Sequence, residues 1–167
     1  EEVYKLNGKD FTDKDLFNFS YIEIILKEFP NAKFVHSMRD SKETICSVLR
    51  NRLEGIPWSH SLEDIIIYYD QYLKIISEQK KRFNKHIIDI DHKELVLEPE
   101  KTTKKLFNFL NLDWSIDCLK YHENKALFSQ TVSRKQVRSG IDKKYLGKYK
   151  ELDFIFNKYL DKYDWLK

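Results

Sequence analysis

The sequence contains few of the residues that cross-link a chain or break its regular structure. Among its 167 residues there are two cysteines, four glycines and three prolines. Two cysteines cannot build a disulfide framework or, alone, a zinc cluster, and so little glycine and proline excludes a collagen-like or linker sequence. No apolar run approaches the roughly 18 residues that a membrane-spanning helix needs. We therefore expect one globular domain with no transmembrane segment, from a reducing compartment, which is the cytoplasm if the protein is bacterial.

The residues that are abundant indicate a packed core and one local concentration of positive charge. Apolar residues make up 41% of the chain and charged residues 34%. The net charge is +3, but residues 133–150 hold seven basic residues and a single acid, Asp142. Such a window predicts an anion site, although a solvated loop and helix face is the alternative. Because the excess of basic residues is confined to one window and no aromatic platform interleaves it, nucleic-acid binding is not expected.

Hydrophobic periodicity switches along the chain between helical and extended patterns. It predicts strands over residues 33–38 and 86–91, and helices over 13–28, 41–52, 61–82, 99–110, about 115–123 and about 142–162. Ser41 is expected to cap the helix that follows the first strand. A strand that leads directly into a helix is half of a βαβ unit. The predicted fold is therefore a helix-rich, three-layer α/β/α sandwich with a parallel sheet, of which only part is present.

The end of the first predicted strand carries side chains that suit a phosphate. Arg39 follows the strand, and Ser47 lies eight residues later on the next predicted helix. If both face the crevice at the carboxyl end of the strand, they supply a charge-assisted hydrogen bond and one neutral donor. A structural ion pair between Arg39 and Asp40 is the alternative interpretation.

Five segments resemble, in the same order, the sulfotransferases that use 3′-phosphoadenosine 5′-phosphosulfate (PAPS). They are FTDKDLFNF (11–19), FPNAKFVHSMRD (29–40) with Ser47, IIDIDHKELVLEPE (87–100), LFNFLNLDW (106–114) and TVSRKQVRSGI (131–141) with Lys148 and Tyr149. Within this family the resemblance is to the tyrosylprotein and TPR-type bacterial enzymes. It implies a P-loop-like α/β fold, in which residues 29–52 bind the 3′-phosphate and residues 131–148 close over the nucleotide.

The resemblance also implies a role for each matching residue. Arg39 and Ser47 are expected to bind the 3′-phosphate, and Lys14 to contact the bridging oxygen of the departing nucleotide. His92 stands where the family has a tyrosine, and is expected to contact the adenine. The late loop is expected to supply further nucleotide ligands: Ser133, Gln136, Arg138 and Lys148. Ser133 is also expected to lie close to the transferred group. No metal is implied.

The implied reaction is transfer of a sulfuryl group from PAPS to a hydroxyl or amine acceptor. The glycine-rich loop that binds the 5′-phosphosulfate in the family has no counterpart here. We therefore expect residues 1–167 to be the C-terminal part of a single sulfotransferase domain. One alternative is an inactive module that binds 3′-phosphoadenosine nucleotides. A P-loop nucleotide kinase is less favoured, because the sequence has no GxxxxGK[ST] loop.

Replacing Lys14 with alanine tests the catalytic role that the resemblance implies for it. If the ammonium group stabilises charge that develops only as the sulfuryl group departs, Lys14→Ala lowers turnover by about a hundredfold to a thousandfold. The affinity for 3′-phosphoadenosine 5′-phosphate (PAP) stays nearly constant, because this stabilisation is absent from the ground state. A sulfate-transfer assay paired with calorimetry of PAP binding measures both quantities. Unchanged turnover would show that Lys14 has no catalytic role.

Overall fold

A computed structural model describes residues 11–123 and 140–167 of the chain. Strands β1 (Phe34–Met38) and β2 (Ile87–Asp91) form a parallel pair. The α-helices are α1 (Ile22–Glu28), α2 (Ser41–Asn51), α3 (Leu62–Arg82), α4 (His92–Leu97) and α5 (Pro99–Leu110). Short 3₁₀ segments are Asn18–Ser20, Pro57–His60, Ile116–Glu123, Lys143–Tyr145, Lys150–Tyr159 and Asp164–Leu166. The predicted helix-rich α/β class with parallel strands is confirmed. Within the described ranges, no helix has both the length and the apolar character needed to cross a membrane.

Local signals in the sequence set the bounds of α3 and α5. The Ser61 hydroxyl accepts a hydrogen bond from the backbone N–H of Asp64 at 3.1 Å and so caps α3. Acidic residues in the first turn of α3 and basic residues in its last turn complement the helix dipole. Helix α5 begins at Pro99 and is ended by Asn111, whose φ of 58° is left-handed. Both helices lie within one residue of their predicted bounds.

Three of the predicted helices are wrong in part. The first α-helix begins at Ile22, and residues 13–17 are not helical. There the Asp15 carboxylate accepts a hydrogen bond from the backbone N–H of Phe17 at 2.7 Å, a local bond that competes with helix formation. The predicted helix over 142–162 is instead made of separate 3₁₀ segments, interrupted at Gly147, whose φ is +70°. The segment Ile116–Glu123 is also a 3₁₀ helix and not an α-helix.

One face of the strand pair is covered by α3. The register places Phe34 opposite Ile87 and Met38 opposite Asp91. Phe34 and Ile87 pack with Ile76 of α3 in one apolar cluster. Because side chains alternate between the two faces of a strand, Val35 points to the opposite face, where it is 43% exposed.

A second apolar cluster joins the C-terminal segment to α2 and α3. Its buried members are Ile45, Cys46, Ile65, Ile66, Phe156, Tyr159, Tyr163 and Leu166. Trp165 adds a polar contact, since its Nε1–H donates to Asp70 of α3 at 3.0 Å. Burial also raises the pKa of the Cys46 thiol, which is typical of an unreactive, structural cysteine. The 3₁₀ geometry of the C-terminal segment therefore still delivers its apolar side chains to the core.

A partly buried polar network links the strand pair to α3. The side chain of His36 is 12% exposed, and its Nδ1 lies 2.7 Å from Asp89 of β2. Because a carboxylate only accepts, Nδ1 carries the proton and Nε2 of the neutral ring accepts from the Tyr72 hydroxyl. Lys80 forms a salt bridge with the same Asp89 at 2.7 Å. Burial lowers the pKa of His36, the Asp89 hydrogen bond opposes that shift, and the Lys80 charge reinforces it.

This network predicts a loss of stability in mild acid. Unfolded His36 takes up a proton near pH 6.5, whereas the folded protein does so only at lower pH. The unfolded state thus binds more protons below about pH 6.5, and the free energy of unfolding falls by at most about 1.4 kcal/mol per pH unit for one such group. The lowered pKa of His92 acts in the same direction. The measurement is urea unfolding at several pH values between 7 and 5. The free energy of unfolding should fall less steeply with decreasing pH in His36→Gln than in wild type.

The exposed His60 provides a matched control for this measurement. In His60→Gln the free energy of unfolding should change with pH as it does in wild type, because the side chain that is replaced is open to water. If the free energy of unfolding changes equally with pH in wild type and in His36→Gln, the His36 network does not govern acid stability.

Candidate functional site

A cleft of about 410 Å³ lies at the carboxyl ends of the two strands. Arg39 and His92 come from the strand ends, and Lys42 and Glu43 from the first turn of α2. The opposite wall is formed by the C-terminal segment, which contributes Gly147 and Lys150. Three separate stretches of sequence therefore meet at one cleft.

Parallel pairing explains why Arg39 and His92 reach the same cleft. The last pair in the register is Met38 with Asp91, so the next residue of each chain segment leaves the sheet at the same edge. In parallel α/β proteins this edge is where ligands commonly bind. The structure thus brings together two residues that the sequence predicts to bind the nucleotide.

Arg39 is held by a carboxylate four residues later in the chain, in the first turn of α2. Its Nε and Nη2 both donate to Oε2 of Glu43, at 2.9 and 2.8 Å. The Arg39 side chain is 27% exposed, and that of Glu43 is 10% exposed. Asp40, the alternative partner named from the sequence, instead accepts a hydrogen bond from the Glu43 backbone N–H at 2.9 Å and caps α2. The prediction that Ser41 is the cap is therefore wrong, because the carboxylate one residue earlier takes that position.

His92 is the first residue of α4, a helix that the sequence analysis did not predict. The preceding Asp91 caps it by accepting from the backbone N–H groups of Lys93 and Glu94 at 2.7 and 3.0 Å. Burial lowers the pKa of His92, and the charge of Arg39 lowers it further, against weaker opposing effects of Glu43 and Asp91. A neutral imidazole at this position has the flat, uncharged face that stacks on a nucleobase.

The C-terminal wall approaches α2 closely. Gly147 has a φ of +70°, and a Cβ atom there would lie 3.2 Å from Cε of Lys150. Glycine therefore permits both the left-handed turn and the passage of the Lys150 side chain beside it. Across the cleft, Lys42 and Asp153 form a salt bridge at 3.8 Å.

Three other residues predicted for the site, all within the described ranges, do not line this cleft. Ser47 lies on α2, and its hydroxyl and carbonyl oxygens accept from Nδ2 of Asn51 at 3.4 and 2.9 Å. Lys14 is exposed in the irregular segment before α1. Lys148 stands beside the wall, with Nζ 5.6 Å from the ring centre of Tyr149. Ser133, Gln136 and Arg138 lie outside the described residues, so their roles stay predictions.

Sequence analysis did not assign six charged residues of the cleft to the site: Glu43, Lys42, Lys93, Lys150, Asp153 and Lys167. The four-residue spacing of Arg39 and Glu43, which have opposite charges, is a signal that could have identified the first of them. Lys150 was counted only as part of a charged window. In the described part of the chain, no group of three or more histidine, cysteine, aspartate or glutamate residues could hold a metal ion.

Comparison with known proteins places this α/β chain in a family. The family model described as "Sulfotransferase family" matches residues 3–115, which include both strands and the residues at their carboxyl ends. The chain belongs to the sulfotransferase family, as its resemblance to these enzymes predicted.

Relatives with curated names are distant and longer. An uncharacterised protein of Aquifex aeolicus is 29% identical over 166 residues, which are 96% of this chain and 21% of that protein. Protein-tyrosine sulfotransferase 1 of Danio rerio is 26% identical over 78% of this chain and 37% of its own length. A putative protein-tyrosine sulfotransferase of Caenorhabditis briggsae is 25% identical over 80% of this chain and 50% of its own length. The chain thus spans between about a fifth and a half of these relatives.

Proposed function

We propose that the chain binds the 3′-phosphoadenosine part of PAPS in the strand-end cleft, as part of an enzyme that transfers a sulfuryl group to a hydroxyl or amine acceptor. The observation that carries this proposal is the convergence of Arg39 and His92 at one cleft. Family membership and the named protein-tyrosine sulfotransferases among the relatives support the reaction class.

The chemistry of the two strand ends matches the two parts of such a ligand. The Arg39 guanidinium offers charge-assisted hydrogen bonds that suit the 3′-phosphate. His92, kept neutral by burial, suits the adenine ring. Because the two residues follow adjacent strands, their spacing is fixed by the sheet and not by a loop.

Lysine side chains around the cleft suit a polyanionic nucleotide. Lys42, Lys93 and Lys150 line it together with the carboxylates Asp40, Glu43 and Asp153. PAP and PAPS carry several negative charges near neutral pH, so even exposed lysines contribute to attraction over a few ångströms. The basic window at residues 133–150 would add to this attraction, since its last residue, Lys150, already reaches the cleft.

The proposed reaction is an in-line displacement at sulfur. The bond between sulfur and the bridging oxygen of the 5′-phosphate breaks as the acceptor oxygen or nitrogen bonds to sulfur, and the acceptor loses its proton. Negative charge develops on the departing PAP, so positioning and electrostatic stabilisation dominate catalysis. Lys14 and Ser133 are the predicted groups for that step, and Gln136, Arg138 and Lys148 the predicted ligands on the closing loop.

The proposed function predicts that PAP binds more tightly than AMP, which lacks the 3′-phosphate. Losing one charge-assisted contact costs about 1.5–3 kcal/mol, or roughly a tenfold to a hundredfold change in affinity. Arg39→Ala should therefore remove most of the preference for PAP while changing the affinity for AMP little. Isothermal titration calorimetry with both nucleotides measures the preference in each protein.

Arg50→Ala is the matched control, because Arg50 is an exposed arginine near the end of α2 and does not line the cleft. It should retain the wild-type preference. If wild type binds PAP and AMP with equal affinity, the proposed nucleotide site is wrong. If Arg39→Ala keeps the preference, the 3′-phosphate is bound elsewhere.

A further inference from the structure

We infer that Glu43 is a positioning residue, which fixes the guanidinium of Arg39 for the 3′-phosphate bound in the strand-end cleft. This inference rests on the proposed function and adds to it a residue that neither the sequence motifs nor the family comparison assigns. Glu43 would touch no reacting atom, and would act only through Arg39.

The geometry of the ion pair supports this role. Two different nitrogens of Arg39, Nε and Nη2, donate to the same oxygen of Glu43 at 2.9 and 2.8 Å. These two contacts hold the Nε–Nη2 edge of the planar guanidinium toward Glu43. Since Arg39 follows β1 and Glu43 lies in the first turn of α2, the pair is attached to two rigid elements.

Glu43 is itself held in place more firmly than its partner. The residue is 7% exposed, and its backbone N–H donates to the capping carboxylate of Asp40 at 2.9 Å. Its side chain cannot swing away from Arg39 without leaving a buried position. A ligand that meets Arg39 in this arrangement finds a guanidinium whose orientation is already fixed, which reduces the entropy lost on binding.

The second oxygen of Glu43 shows that this arrangement has a cost. Within residues 11–123 and 140–167, the buried Oε1 of Glu43 has no hydrogen-bond partner, and neither does the buried Nδ1 of His92. A buried charged oxygen without a partner is destabilising, so an apolar residue would suit packing alone better. Orientation of Arg39 gives a reason for a carboxylate to occupy this position.

Glu43 also has an electrostatic effect on a bound phosphate, and this effect is opposite in sign to that of positioning Arg39. A carboxylate beside the site repels a phosphate, so its removal would tighten binding if repulsion outweighed positioning. Positioning outweighs repulsion here, because the Glu43 charge is already neutralised by two short contacts with Arg39. Removal of Glu43 should therefore weaken binding of the 3′-phosphate.

A double-mutant cycle tests whether Glu43 acts through Arg39. Calorimetry is carried out with PAP and AMP on wild type, Glu43→Ala, Arg39→Ala and the double variant. Glu43→Ala should weaken PAP binding by about tenfold and leave AMP binding unchanged, which also shows that the variant is folded. In the Arg39→Ala background, Glu43→Ala should have no further effect.

Two additional variants keep the test decisive. Glu43→Gln is nearly isosteric and retains an oxygen acceptor, so it should show a smaller loss than Glu43→Ala and serves if that variant does not fold. Glu63→Ala removes an exposed glutamate from the first turn of α3, and should bind PAP like wild type.

Three results would overturn the inference, and they differ from a failure of the proposed function. They are unchanged or tighter PAP binding by Glu43→Ala, an equal loss of AMP binding, and an equal loss in the Arg39→Ala background. In each of these cases wild type still prefers PAP over AMP. If wild type has no such preference, the proposed function itself fails, and the inference fails with it.

Discussion

Parallel hydrogen bonding between β1 and β2 is the constraint on which the candidate site depends. The register places Met38 beside Asp91, and this alone brings Arg39 and His92, which are 53 positions apart in the sequence, to one edge. The side chains that stabilise this pairing are partly polar, since His36 and Asp89 bond to each other across the strands and to Tyr72 and Lys80 of α3. The contacts that hold the two strands together therefore also determine where Arg39 and His92 lie.

The other wall of the cleft depends on apolar burial in the second cluster, which contains no strand residue. Phe156 and Leu166, exposed by 0% and 1%, anchor the C-terminal segment against α2 and α3. This packing carries Gly147 and Lys150 to the cleft. Positive and negative charges partly compensate each other in the cleft, because the lysines are accompanied by the carboxylates of Asp40, Glu43 and Asp153. A bound polyanion would shift this balance toward the cations.

Much of the fold could be predicted from the sequence, because its strongest signals are local. The capping serine of α3 and the Pro99 that begins α5 gave bounds accurate to one residue. The same reasoning failed over 13–17 and 142–162, where Asp15 bonds the backbone locally and Gly147 adopts a left-handed φ. Apolar periodicity does not detect either effect. In the candidate site, the strand-end residues were predictable from their positions, whereas Lys150 reaches the cleft through long-range packing that no local pattern encodes.

Nuclear magnetic resonance most directly tests the central claim that the strand-end cleft binds a 3′-phosphorylated adenine nucleotide. The imidazole signals of His92 and the Nε–H signal of Arg39 are followed while PAP, and separately AMP, is added. The account predicts saturable shifts of both residues with PAP, a much weaker response of Arg39 to AMP, and no shift of the exposed His60. Saturable binding of PAP that leaves Arg39 and His92 unshifted would contradict the account.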